Sequence, residues 1–419
     1  MKHKLHSIFL LIVFLIAICT SLPVQASSTE SMIRVGILSN EQKIVICADT
    51  EFKVINKDTG KLIALFPIGK EVRISAQGKT FILNNQKVAA EKLSIIKSTN
   101  NNKSFLKVNQ KEYRGNFEIH ITQGKTGLTV VNNVPIEEYL YGVIAREMSP
   151  EWPLEAVKAQ TVAARSYAIH SLKKHQRDDY DVCDTTDCQV YGGRESEHPR
   201  IIKAVDDTAG KVILFQGKVI PAYFHSSSGG YTENSENVWG AFLPYLRGVV
   251  DYDQNSPQFK WEKRLTTSEL EQAIHKAGYS VGTIKKIELA PLTTRPIKGP
   301  ERGVSGRVKT IKFIGTTGNV QLTGEKLRRI LDLKSSLFDI NLSSANSKQD
   351  LAMNKRGVYT LSGQVGDRLV ITGFGWGHGL GLSQWGARAM AEKAPKGDST
   401  YYEKILKHYY QGTTIKKVF

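Results

Sequence analysis

The sequence predicts a mixed α+β protein: a central α/β body preceded by a small β-rich region. Three observations carry that expectation. Residues 33–98 alternate apolar and polar positions in short runs, the period of half-buried strands. Residues 134–174 switch to helical spacing on either side of a proline-bounded corner. Beyond them strands and helices intermix without a regular βαβ alternation. The chain has 419 residues, of which 41% are hydrophobic and 23% charged, enough for about two to three domains with real cores.

At the N-terminus Lys2 and Lys4 precede an apolar run over residues 8–18, followed by Ser21, Pro23 and a Val24-Gln25-Ala26 triplet. That order is the pattern of a secretory signal over residues 1–26, with an uncleaved signal anchor as the alternative. Cys19 follows the bulky Ile18, which makes a poor lipidation site. Export would place the protein in the cell wall or on the outer face of the cytoplasmic membrane. Loss of Lys2 and Lys4 lowers the formal net charge from +17 to +15. Such a charge attracts polyanions. Outside a bacterial cytoplasm these are teichoic acids, anionic lipids and peptidoglycan carboxylates. Nucleic acid is not expected, because no helix-turn-helix, zinc-finger or RNA-binding signature accompanies the charge.

Taken in order, the runs IRVGIL, KIVICA, FKVIN, KLIALF, EVRISA and KTFILN read as strands separated by turns such as Lys57-Asp58-Thr59-Gly60. Cys47, inside KIVICA, reads as a small buried hydrophobe. A polar seam at residues 100–103 closes this β-rich domain, assigned to residues 27–100, and the main body is assigned to residues 113–419. FLKVN, YRGNFEIHIT and GLTVVNNV continue as strands. The first helix starts at Pro135, with Glu137 and Glu138 at its positive end, and fades before Pro150. Pro153 opens a second, alanine-rich helix to about residue 174. Further on, the pattern predicts a helix at 201–208, a hairpin at 211–224 turning at Gln216-Gly217, and a helix at 265–277. Strand, turn, strand and helix follow over 307–333. Residues 341–355 read as a polar excursion, 358–373 as strands, and 383–393 and 401–410 as helices.

Four constellations could carry chemistry. Glu147 sits at the helical corner beside Met148, Pro150, Trp152 and Pro153. Apolar surroundings would raise its pKa toward that of a general acid. The alternative is a solvated surface glutamate or a partner of Arg146 or Arg165. HSSSGGYTE, from His225, offers hydroxyls and backbone N–H groups to a polar ligand. A serine nucleophile among Ser226–Ser228 lacks the required turn, and neighbouring residues of a strand face opposite ways. GFGWGHGLGLSQWG, from Gly373, lacks phosphate-loop spacing. Its glycines allow close approach to a ligand, and Trp376 and Trp385 could stack on sugars or fill a core. Cys183 and Cys188, with His175 before them and His198 after, suit zinc or a loop disulfide. Three cysteines in the mature chain are an odd number and make no disulfide framework.

Three separated stretches resemble one family, the stage II sporulation protein D (SpoIID/LytB) cell-wall proteins. They are EEYLYGVIAREMSPEWPLEAVKAQTVAARSYA, CQVYGG with AYFHSSSGGYTEN, and GWGHGLGLSQWGARAMAEK followed by YYEKILKHYYQGT, in order across residues 113–419. The resemblance implies a SpoIID-type catalytic body and a peptidoglycan lytic transglycosylase. Such an enzyme cleaves MurNAc–GlcNAc linkages of stem-peptide-stripped glycan strands to 1,6-anhydro products. Glu147 would be its single catalytic acid. The second carboxylate of ordinary glycosidases is not needed when the nucleophile is the sugar's own hydroxyl. The matching motifs offer Arg165, Tyr167, Gln189, Tyr191, His225, Ser226, Ser227, Gly229, Gly230, Trp376, His378 and Gln384 as substrate-binding residues. The chemistry requires no cofactor. Zinc-containing members of the family imply a structural zinc on Cys183 and Cys188, with His175 as third ligand. The implied partners are glycan strands and a cell-wall amidase acting upstream. The rival reading is a non-catalytic peptidoglycan-binding enhancer of such an amidase.

Overall fold

The computed structural model describes residues 31–99, 103–343, 350–351, 357–361 and 368–419. Residues 1–26, read as an export signal, and much of the polar stretch 341–355 lie outside them. Among the described residues no helix is long and apolar enough to cross a membrane.

The chain is α+β, as its patterning predicts. Its helices are α1 (Ile136–Glu147), α2 (Leu154–His170), α3 (Pro199–Asp207), α4 (Ser235–Trp239), α5 (Thr267–Lys276), α6 (Gly324–Ile330), α7 (Gln384–Ala391) and α8 (Tyr401–Tyr409). The N-terminal third forms a six-stranded sheet and, with Val182–Cys183 as an added edge strand, a seven-stranded one. The boundary expected between residues 100 and 113 does not divide them. Met32–Glu41 pairs with Leu128–Pro135, and Lys92–Lys97 pairs with Asn116–Ile121. Strands from both sides of the seam thus share one sheet. The reason is their common core: Leu106, Phe117, Ile119 and Val130 pack with Ile33, Val54 and Leu93, and the same core runs on into Tyr139, Leu140 and Val143 of α1. Cys47 is half-buried rather than buried.

Pro135 and Pro153 sit one residue before α1 and α2, in extended conformation, rather than in their first turns. α1 ends at Glu147, because Met148 is already extended (φ −133°, ψ 146°) ahead of Ser149-Pro150. α2 stops at His170, short of residue 174. Leu172 and Lys174 form tight turns on Ile169 and Ser171 instead, which carry His175 back toward the cysteine loop. The alanine face of α2 lets α1, α3, α7, α8 and the strand Lys211–Phe215 pack around it.

Residues 260–374 form an insert with its own core, from Trp261 to Ile371. Two four-stranded sheets, α5 and α6 build it. A capping box at Thr266 and Glu269 starts α5. The strand Lys260–Thr266 precedes α5 and pairs along Arg368–Phe374, so the insert's two ends lie side by side. The Gly375 N–H donates to the Phe259 carbonyl at 3.0 Å. A third core joins α2, α7 and α8 through Ala159, Val162, Ala387, Tyr402 and Leu406. Phe224–His225 and Leu382–Ser383 then meet as a short parallel pair, bringing two distant motifs to one place.

Candidate active site

A cleft of about 480 Å³ opens where these parts meet. Glu147, Tyr167, Asp187, Gln189, Tyr223, His225, Trp239 and His378 are among its lining residues. Glu147 reaches it as the last residue of α1. Burial pushes its carboxyl above the usual value of 4.5, and the hydrogen bond from Gln384 opposes that shift. The negative end of α1 acts in the same direction as burial. Gln384, first residue of α7, donates from Nε2 to Glu147 Oε2 at 2.9 Å. The other acid of the cleft, Asp187, is differently placed. Lys174 Nζ lies 2.9 Å and His175 Nε2 3.1 Å from its Oδ2. The Lys174 hydrogen bond holds its carboxyl below the ordinary range.

Two neutral imidazoles form one wall. Burial pushes His378 down to about 3 and His225 well below 6.5. Leu380 fixes both tautomers. Its N–H donates to His378 Nδ1 at 3.0 Å, and its carbonyl accepts from His225 Nδ1 at 3.2 Å. His378 therefore carries its proton on Nε2 and His225 on Nδ1. The cleft is also lined by aromatic rings, with Tyr167 edge-on to Tyr223 at 5.9 Å. Gln189 is held there by Tyr139, whose hydroxyl donates to its Oε1 at 3.3 Å, while its own Nε2 donates to the Ala164 carbonyl at 3.3 Å.

A family model described as Stage II sporulation protein matches residues 124–215, which include α1, α2 and the cysteine loop. A second model, a domain of unknown function, matches residues 233–381, which include the insert. The chain is similar to an uncharacterized protein of Brachyspira hyodysenteriae, at 37% identity over 69% of this chain and 68% of the relative. It is 31% identical to the stage II sporulation protein D of Bacillus subtilis, over 70% of this chain and 78% of the relative. The chain belongs to the stage II sporulation protein D family. A further relative, the amidase enhancer of Bacillus subtilis, is 35% identical over 66% of this chain and 40% of its own length.

In this SpoIID-family chain the expected site residues divide. The cleft gathers Glu147, Tyr167, Gln189, His225 and His378, with Gln384 behind Glu147. Arg165 does not belong to it. Its side chain is 0% exposed and makes a two-pronged pair with Glu137, Nε at 2.9 Å and Nη2 at 2.5 Å. Its remaining donors meet the Thr208 hydroxyl and the Val205 and Lys211 carbonyls. Tyr191 is also a core residue, its hydroxyl 3.0 Å from Asn132 Oδ1 and its ring beside Tyr139.

The serine–glycine loop faces inward rather than toward a ligand. Asp253 accepts from the Ser227 hydroxyl at 2.5 Å and from the Gly229 and Gly230 N–H groups at 2.8 Å each. Asp251 takes the Ser228 hydroxyl at 2.5 Å and the Tyr409 hydroxyl at 2.7 Å. Two buried carboxylates need those donors, which also spends the hydroxyls a serine hydrolase would use. Ser226 offers its carbonyl to the Trp385 N–H, 3.1 Å away.

The glycines of the last motif allow close packing, and Gly377 also borders the cleft. Gly375, Gly377, Gly379 and Gly381 all have positive φ. A Cβ on Gly377 would lie 2.7 Å from His225 Cβ, and one on Gly379 2.2 Å from Arg307 Cζ. Trp376 lies away from the cleft under the Lys334 ammonium, and Trp385 packs on Trp152 at 4.9 Å. The aromatic that enters the cleft is Trp239, together with Tyr223, and sequence patterning missed both. Asp251 and Asp253 were missed because the donors they engage, Ser227, Ser228 and Tyr409, are not their sequence neighbours.

His175, Cys183, Asp187 and Cys188 present ligand atoms within 4.8 Å of one another. Asp187 is the addition to the expected set. The thiols of Cys183 and Cys188 are not joined as a disulfide. Two sulfurs, one imidazole and one carboxylate suit a tetrahedral cation. Asp178 Oδ2 lies 3.2 Å from His175 Nδ1, which leaves Nε2 for the cluster and reproduces the carboxylate support usual behind a metal-bound histidine. Asp187 and Cys188 also border the cleft.

Proposed function

We propose that the protein is a peptidoglycan lytic transglycosylase in which Glu147 is both acid and base. The observation that carries this reading is one desolvated carboxyl in the cleft whose pKa burial raises, while the cleft's second acid is engaged by Lys174 and His175. Protonated Glu147 gives its proton to the glycosidic oxygen as the bond from the MurNAc C1 breaks. The C6 hydroxyl of the same sugar closes on C1, and its proton returns to the Glu147 carboxylate. No water is consumed, and the product is a 1,6-anhydro sugar. The Gln384 amide orients the carboxyl and stabilises its ionised intermediate state. Tyr167 and Tyr223 provide aromatic walls for the sugars. A zinc ion on His175, Cys183, Asp187 and Cys188 would pin the loop that forms the cleft rim, with no part in the proton transfers.

Family membership and the basic net charge support a substrate class of glycan strands outside the cytoplasm, stripped of stem peptides by an upstream amidase. A second reading has one specific support, the relative named an amidase enhancer. It needs the cleft but not the proton transfers. The test is amidase-treated glycan strands incubated with the protein and with Glu147→Gln. Anhydro-ended products from the parent alone support the transglycosylase. Equal product from both sinks the assignment of Glu147. Binding by both without product supports the enhancer.

A further inference from the structure

Trp239 lines two cavities. One is the Glu147 cleft. The other, of about 460 Å³, has Thr323, Glu325, Arg328, Arg329 and Leu333 of the insert on its far side. Trp239 closes α4, after which Gly240 turns the chain at φ 80°. Tyr223, with its ring centroid at 4.5 Å, and His378 at 5.0 Å hold the indole from the cleft side. Even so, the residue remains 46% exposed. An indole held in place with open area at the junction of two cavities is ready to receive the C–H face of a pyranose. Little ordering entropy remains to be lost on binding.

We propose that Trp239 is a sugar-stacking platform and that the cavity beyond it is a distal sugar subsite supplied by the insert. The groove then takes a glycan strand longer than the two sugars flanking Glu147. This rests on the glycan reading of the cleft. The far wall has suitable hydroxyl partners. Arg328 is already oriented, its Nε donating to the Leu333 carbonyl and Nη1 to Glu325 Oε2, each at 3.2 Å. Arg329 is exposed, with Nε leaning on the Glu325 carbonyl at 3.4 Å. Trp239 and Arg329 come from separate units, so their agreement on one ligand can be tested independently.

The experiment is calorimetric titration of the full chain carrying Glu147→Gln with three-sugar and six-sugar N-acetylglucosamine oligomers, which need no turnover. The expected result is tighter binding of the hexamer. Trp239→Ala should weaken the hexamer roughly tenfold, with Trp239→Phe recovering part of the loss. Arg329→Ala should weaken the hexamer about threefold and leave the trimer unchanged. Melting temperatures check that each variant is folded. Equal affinity for the two oligomers, or a folded Trp239→Ala variant that binds both as its parent does, overturns the proposal. Length-dependent binding by a protein that releases no anhydro product would sink the transglycosylase reading and leave this one standing.

Discussion

Gln384 Nε2 donates a 2.9 Å hydrogen bond to Glu147 Oε2, joining residues 237 positions apart. The bond favours the ionised carboxylate and so opposes burial, which favours the protonated acid. Gln384→Leu removes that opposing hydrogen bond together with the orientation it gives the carboxyl. The Glu147 pKa should move further up, and the alkaline limb of the pH–rate profile should move with it. Loss of orientation should lower kcat about tenfold. A pH–rate profile of the folded variant with its limb unmoved would contradict this pairing.

Glu147→Gln should lower product formation by roughly 10²–10⁴-fold, the usual share of general acid–base catalysis. Its stability should depend on pH in a stated direction. The folded pKa lies above the usual 4.5, so the folded state holds this proton more tightly than the unfolded one. The resulting stability is complete below 4.5 and is lost as pH rises through the folded pKa. Glutamine escapes that loss. The variant should therefore melt above the parent at pH 7, with the gap closing as pH falls below 4.5. Melts across that range give the sign directly.

The four-donor cluster predicts one zinc per chain by elemental analysis of the purified protein. Chelation should lower the melting temperature. Cys183→Ser should release the metal at a lower chelator concentration than the parent, about 10-fold or more. A protein that binds no zinc when refolded in its presence would remove the metal reading.

Arg165→Ala should be a stability lesion rather than a binding lesion. It leaves Glu137 without its partner beneath α3 and should cost about 3–5 kcal/mol in urea unfolding. Where the variant is folded, its affinity for glycan oligomers should match the parent's. A selective loss of binding would return Arg165 to the cleft.

The strands and helices were legible because each is written in its own few residues. Ile33, Val35 and Ile37 alternate into the core, and Tyr139, Leu140, Val143 and Ile144 repeat at helical spacing. Glu147 was legible as a residue at a helix end next to Trp152 and prolines. Its partner was not, because the Gln384 contact depends on how α7 docks against α1. Arg165 and Tyr191 show the opposite failure. Polar side chains inside matching motifs look functional in sequence, yet Glu137 and Asn132 engage them in the interior. The domain boundary expected at residues 100–103 failed because a polar run in the sequence does not show which strands pair across it. The pairings of Lys92–Lys97 with Asn116–Ile121 and of Met32–Glu41 with Leu128–Pro135 cross it.

The adjacency of Phe259 and Gly375 bears on how such proteins diversify. A unit that leaves and rejoins its host at neighbouring points can be lengthened, exchanged or deleted with little change to the host's path. The body that carries Glu147 and the unit along its flank are then separable objects of selection. The second family match, at residues 233–381, contains the whole insert and extends beyond it to Trp239 and His378 of the cleft. Lineages facing walls of different architecture could replace the flank as a cassette while keeping one unaltered acid.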